Sequence, residues 1–223
     1  MKQGIWIGAG VFVLAVAVLI WLFVVNTVRI PQRGDRFVYQ DAKGLPYVFT
    51  VTQSDPASHS LEMKGEGDGD FYNLVLRFSY DGRWLEWTHL EAKGRGENLT
   101  CDLNRGDRGF LLFPIKRLFS RPKEFGFRAV CTEEGAYTFQ VKLAFGGREQ
   151  IDSKAGSFRA NKISHVVSFP LQQDTLGTLD LSVVPKVGFP AHFTVTINEE
   201  GGPGAGAARG YTFDLVQFLP STP

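Results

Sequence analysis

Four histidines, two cysteines and one run of carboxylates are the residues of this 223-residue chain whose types could carry chemistry. His59, His89, His165 and His192 share no spacing, so neither a histidine metal centre nor a base beside a nucleophile is indicated. Gly-x-Ser-x-Gly, His-Glu-x-x-His and phosphate-loop patterns are absent from the sequence. Glu66-Gly67-Asp68-Gly69-Asp70 sets three carboxylates close together, the kind of oxygen-rich loop that calcium takes. The calcium-hand pattern fails, because Phe71 stands where its obligatory glycine would be and Arg77 where its last carboxylate would be. A solvated turn is the better reading. No catalytic, cofactor-binding or metal-ligating residue is therefore assigned, and no cofactor is expected.

Cys101 and Cys131 fall on the apolar faces of two strand-like segments and could meet inside the domain. Paired, they would close a loop of about 31 residues, worth ~3 to 4 kcal/mol by chain entropy, and would imply an oxidising compartment. The alternative is two small buried thiols. Asn98-Leu99-Thr100 is a formal glycosylation triplet whose middle residue is expected to face the core.

Between the cysteines lies a local charge imbalance. Arg105, Arg108, Lys116, Arg117, Arg121, Lys123 and Arg128 stand against only Asp107 and Glu124, interleaved with Phe110, Leu111, Leu112, Phe113, Leu118 and Phe119. Such a segment could lie on anionic lipid, each surface cation contributing ~1 kcal/mol, or dock on an acidic partner. The simpler reading makes Phe110 to Phe113 a buried strand ended by Pro114, with the cations on a solvated turn. The chain as a whole carries 24 basic against 23 acidic residues, a net charge of +1, so no global field draws nucleic acid.

The elements that must position these groups read as strands. Tyr137, Phe139, Val141, Leu143 and Phe145 alternate with mostly polar residues, the period of a half-buried strand. The same alternation runs through Leu99 to Leu103, Phe125 to Cys131, Leu179 to Val183 and Phe193 to Ile197. Leu74 to Tyr80, Asp81-Gly82 and Arg83 to Leu90 fit a hairpin with a tight turn. Gly65 to Asp70, Gly146-Gly147 and Gly201 to Gly210 read as turns or loops. The fold class expected is all-β: an N-terminal single transmembrane helix followed by an antiparallel β-sandwich. Glu134-Gly135-Ala136-Tyr137-Thr138-Phe139-Gln140-Val141 resembles the glycine-x-tyrosine entry into a late strand of immunoglobulin-like and related bacterial adhesion-type sandwiches, where the tyrosine hydroxyl closes a corner. The resemblance implies architecture and no function, and Cys131 precedes Tyr137 where the antibody pattern has it following. The glycine-rich, charged segment from Gly146 to Gly156 could be a linker or a long connection, so residues 37–148 and 149–223 are read as two β modules or as one large sandwich.

Ile5 to Val25 is apolar and carries no charge. As a helix at ~1.5 Å per residue it would reach roughly 32 Å, about a bilayer's hydrocarbon thickness. It exceeds the hydrophobic region of a signal peptide and is read as a retained anchor over residues 1–28, with a short linker over 29–36. Trp6 and Trp21 would settle at its two interfaces. Gly4 and Gly8, continued by Val11 and Ala15, would leave a shallow groove for another membrane helix. The cation count (Lys2 against Arg29, Arg33 and Arg36) favours a cytoplasmic domain, whereas an all-β domain with two cysteines favours an exterior one. The exterior, periplasmic or extracellular, is the expectation.

Two functions fit this reading. One is a non-catalytic accessory or assembly subunit of a larger membrane complex, with other integral membrane subunits as partners. The other is a membrane-tethered binding module for a glycan, peptide or envelope polymer. Nucleic acid is not an expected partner.

Overall fold

The computed structural model describes residues 27–67, 71–94, 98–104, 109–115, 122–132, 135–170, 175–198 and 208–221. Thirteen strands run through them: β1 (Arg36–Asp41), β2 (Pro46–Asp55), β3 (Ser60–Gly67), β4 (Phe71–Tyr80), β5 (Trp84–Gly94), β6 (Asn98–Asn104), β7 (Phe110–Pro114), β8 (Lys123–Cys131), β9 (Gly135–Ser153), β10 (Gly156–Ser168), β11 (Thr175–Val184), β12 (Phe189–Asn198) and β13 (Ala208–Leu219). Every pairing is antiparallel, and the order β4-β3-β2-β1-β13-β12-β11-β10-β9-β8-β6-β5 returns to β4, closing a barrel of 12 strands.

This closure corrects the expected sandwich. A sandwich has two sheets and four edges, whereas here β1 pairs with both β2 and β13 while the hairpin of β4 and β5 shuts the ring, so edge backbone groups find partners. Among the described residues there is no helix, and so none long and apolar enough to cross a membrane. The segment Ile5 to Val25, with Gly4, Gly8, Val11, Ala15, Trp6 and Trp21, lies outside the described residues. The division at 148/149 falls inside β9, which pairs with β8 along its first half and with β10 along its second. The two halves share one sheet.

Two glycine signals have other causes than turns. Gly65 and Gly67 lie in β3 opposite Phe49 and Tyr47, and a Cβ on Gly65 would sit 2.6 Å from the Phe49 ring. The glycines leave room for inward aromatic rings, while Glu66 faces out. Gly146-Gly147 forms a bulge: Ile163 pairs with Phe145 and Lys162 with Gly147, and the positive φ of Gly147 (87°) suits a residue without Cβ.

Eight-stranded barrels are just filled by their own side chains, and those with roughly 16 strands leave an aqueous channel. Twelve strands enclose more room than inward side chains can fill. Part of it is taken by β7, whose five residues are all buried. It pairs with β5 at Trp84 to Trp87, below the stretch of β5 (His89 to Lys93) that pairs with β6. From there it turns inward, so that Phe110 packs on Phe125, Phe127 and His165, and Phe113 on Phe189. The apolar run Phe110 to Phe113 lacks alternation because both of its faces meet barrel wall.

Candidate functional site

Above β7 the interior is not filled. A cavity of about 380 Å³ lies between β5, β6, β8, β9, β10, β11 and β12, walled by side chains such as Leu90, Leu103, Phe127, Phe139, Val167 and Ile197. A second, of about 130 Å³, lies deeper, between Phe49, Leu76, Phe78, Leu112, Phe189 and Phe193. Trp87, Leu179 and Val195 line both. Among the described residues no charged side chain lines either lobe, and the upper one is bordered by Thr178 and Thr196 as its polar residues, beside Gly177 and the disulfide-bonded Cys101. Such a surface is suited to hydrocarbon.

The strands place these groups by alternation. Leu179 opposes Val195 and His165 in register, and Phe127 opposes Phe139, so all face inward. At the end of the barrel where β8 turns to β9 and β12 runs toward β13, two inward residues among those described stay open to solvent: Tyr137 is 38% exposed and Ile197 49%. Tyr137 continues a run of rings, Tyr137 on Phe139 and Phe139 on both Phe127 and Phe169. Apolar surface thus leads from the rim into the upper lobe.

The opposite end is closed. The Val28 N–H donates to the Ile115 carbonyl at 2.7 Å, the Ile115 N–H to Arg83, and the Arg29 N–H to Pro185, so the segment before β1 covers the foot of β7. Asp35, with no exposed surface, pins this floor. Its carboxylate accepts from both guanidinium nitrogens of Arg29 (2.5 and 3.1 Å), from the Gln32 N–H (2.7 Å), and from the Ser221 N–H and hydroxyl (2.8 and 3.1 Å). Burial alone would raise its pKa, but Arg29 and the N–H donors together hold it below its ordinary value of 3.8. Tyr39 donates its hydroxyl to the Pro190 carbonyl at 2.6 Å, and burial pushes the phenol well above its usual pKa.

His165 ties β7 to the wall. Its Nε2 lies 3.0 Å from the Leu111 carbonyl oxygen and its Nδ1 3.2 Å from that of Leu179. Burial lowers its pKa below the ordinary 6.5, although both carbonyls favour the charged ring. The neutral imidazole has one N–H, so it donates to one carbonyl and turns its lone pair to the other.

The other histidines are elsewhere. His89 sits on the outer wall between Asp102 (2.6 Å) and Glu91 (3.0 Å), continuing a ladder in which Arg77 bridges Glu62 and Glu91. His192 pairs with Asp214, and His59 packs on Tyr80. Among the described residues no group of three or more His, Cys, Asp or Glu could hold a metal.

Cys101 and Cys131 are bonded and lie opposite each other in the β6–β8 ladder. That seam has few pairs, from Cys101 to Asn104 against Arg128 to Cys131, and the bond clasps it beside the upper lobe. Of the basic patch, Lys123 and Arg128 are exposed, with the Lys123 ammonium 4.6 Å from the Trp84 ring centroid. Arg105, Arg108, Lys116, Arg117 and Arg121 lie outside the described residues, as do Asp68 to Asp70 of the acidic run. The cavity itself is not legible in the sequence. Its lining residues were legible as strand faces, but the empty volume between them has no signal in any one strand.

No family model and no curated protein matches the chain. Among solved structures it is similar to the hypothetical lipoprotein YmcC from Escherichia coli (K12), with a TM-score of 0.47 and 13% identity over 86% of each chain. It is also similar to a protein from Bacteroides fragilis NCTC 9343, assigned as exported and given a YmcC-like fold (TM-score 0.47, 14% identity, 87% of this chain and 99% of that one). A third is a protein assigned as a lipoprotein from Parabacteroides distasonis ATCC 8503 (TM-score 0.46, 13% identity, 86% and 99%).

Proposed function

We infer that this protein is a non-catalytic binding protein whose barrel receives the hydrocarbon chain of an amphiphile, such as a fatty acid or lipid acyl group, through the end bearing Tyr137 and Ile197. The observation that carries this reading is the upper lobe of about 380 Å³ with an apolar lining. Each methylene moved from water into such a site gains about 0.8 kcal/mol. A glycan placed there would leave hydroxyls unpaired, at roughly 1–3 kcal/mol each, so of the binding-module readings a chain-bearing envelope molecule fits best. The domain works outside the cytoplasm. The bonded Cys101 and Cys131 support this, because such a bond persists in oxidising compartments.

The test is native mass spectrometry of the full chain, purified in amphipol from the cells that make it, with the released molecules identified. One acyl-bearing molecule per chain is expected. An empty barrel accompanied by a stoichiometric protein companion would instead support the accessory-subunit role in a membrane complex.

A further inference from the structure

We propose that Trp87 is the partition that sets how long a hydrocarbon chain the barrel accepts. The inference rests on the binding role above and adds the length class of the ligand and the residue that measures it.

The two lobes meet at three side chains. Leu179 and Val195 are register partners on neighbouring strands β11 and β12, so they form a fixed strip of wall. Trp87 comes from β5, on the other side of the interior, and lines both lobes with them. Its indole N–H donates to the His89 carbonyl two residues along the same strand at 2.8 Å, which holds the ring in place. A chain entering past Ile197 therefore fills the upper lobe and stops at the indole.

Volume sets the length. A dry apolar cavity of roughly 150 Å³ holds one benzene, so the upper lobe of about 380 Å³ would take on the order of fifteen carbons by the same measure. The deeper lobe of about 130 Å³ would add about five more. Removing the indole joins the lobes and lengthens the accepted chain.

The experiment uses the full chain in amphipol with a series of fatty acids, from ten to twenty carbons, each carrying a diazirine at its methyl end. After photolysis, peptide mapping finds where the chain end lies. In the wild-type protein the label should fall on upper-lobe and partition residues such as Phe127, Leu179 and Val195, with yield dropping for chains beyond about fifteen carbons. Trp87→Ala should move the optimum up by about four to six carbons and carry the label to Leu76 and Phe78. Trp87→Leu, which keeps an apolar side chain in the core, should move it in the same direction by less. Leu76→Phe, which narrows only the deeper lobe, should leave the wild-type optimum unchanged and cancel the gain of Trp87→Ala.

Absence of interior labelling by any probe in the wild-type protein would overturn the binding role itself. Interior labelling whose optimum does not move in either Trp87 variant would overturn the partition alone. So would long probes reaching Leu76 or Phe78 in the wild-type protein, a result that needs no variant to fold.

Discussion

Replacing both Cys101 and Cys131 by serine should lower stability by about 3.6 kcal/mol. The sequence separation across the bond is 30 residues. For a loop of that size the chain-entropy relation gives about 12 cal/mol/K, or about 3.6 kcal/mol at 25 °C. The enclosed loop contains β7, so the bond also limits how far the inward strand and the β6–β8 seam can separate in the unfolded chain. Urea unfolding of the full chain in amphipol, followed by tryptophan fluorescence, reads the effect. With a slope of about 2–3 kcal/mol per molar, the midpoint should fall by about 1.2–1.8 M. Wild-type protein unfolded with reductant present should share the lower midpoint, and a thiol count under denaturing, non-reducing conditions should find none in the oxidised protein. A midpoint shift under about 0.3 M, or two free thiols, would refute the reasoning that this bond clasps the sparsely paired β6–β8 seam.

Other consequences can be checked on the same protein. Asp35→Ala strips Arg29 of its counterion and leaves the N–H groups of Gln32 and Ser221 without their acceptor, so a loss of about 2–4 kcal/mol is expected in urea unfolding. Because the native Asp35 pKa is depressed, its contribution is complete above about pH 4 and is lost as pH falls through the native value; the variant should show a flatter acid limb. The native His165 pKa is also depressed, so the unfolded chain takes up that proton first and stability should decline as pH falls below 6.5. His165→Leu should cost about 1–3 kcal/mol at neutral pH for the lost donor and should remove that decline. Gly65→Ala drives a methyl into the Phe49 ring and should cost about 1–3 kcal/mol in thermal or urea unfolding.

Strand faces were readable because alternation is local. Phe125, Phe127 and Ala129 point inward as the pattern required, and the Asp81-Gly82 turn joins β4 to β5, with the Asp81 carboxylate accepting from the N–H groups of Arg83 and Trp84. Closure was not readable. The inner face of a sandwich and the inner wall of a barrel carry the same alternation, and the choice between them depends on which distant strands meet, such as β1 with β13 and β6 with β8. Glycine misled for a physical reason: Gly65 and Gly67 sit where rings need room, and Gly146-Gly147 makes a bulge, yet all four look like turn residues. Tyr137, expected to close an immunoglobulin-like corner, instead stands at the rim of the cavity. The Phe110 to Phe113 run was legible as a buried strand, but its inward course depends on β5 having its edge shared with β6.

The central claim is that hydrocarbon occupies the upper lobe. Co-crystallisation of the full chain with a fatty acid brominated at its chain end, with anomalous diffraction at the bromine edge, tests it most directly. A bromine peak between Phe127, Leu179 and Val195 is the result expected, and a lobe filled by ordered water with no bromine inside the barrel would contradict it.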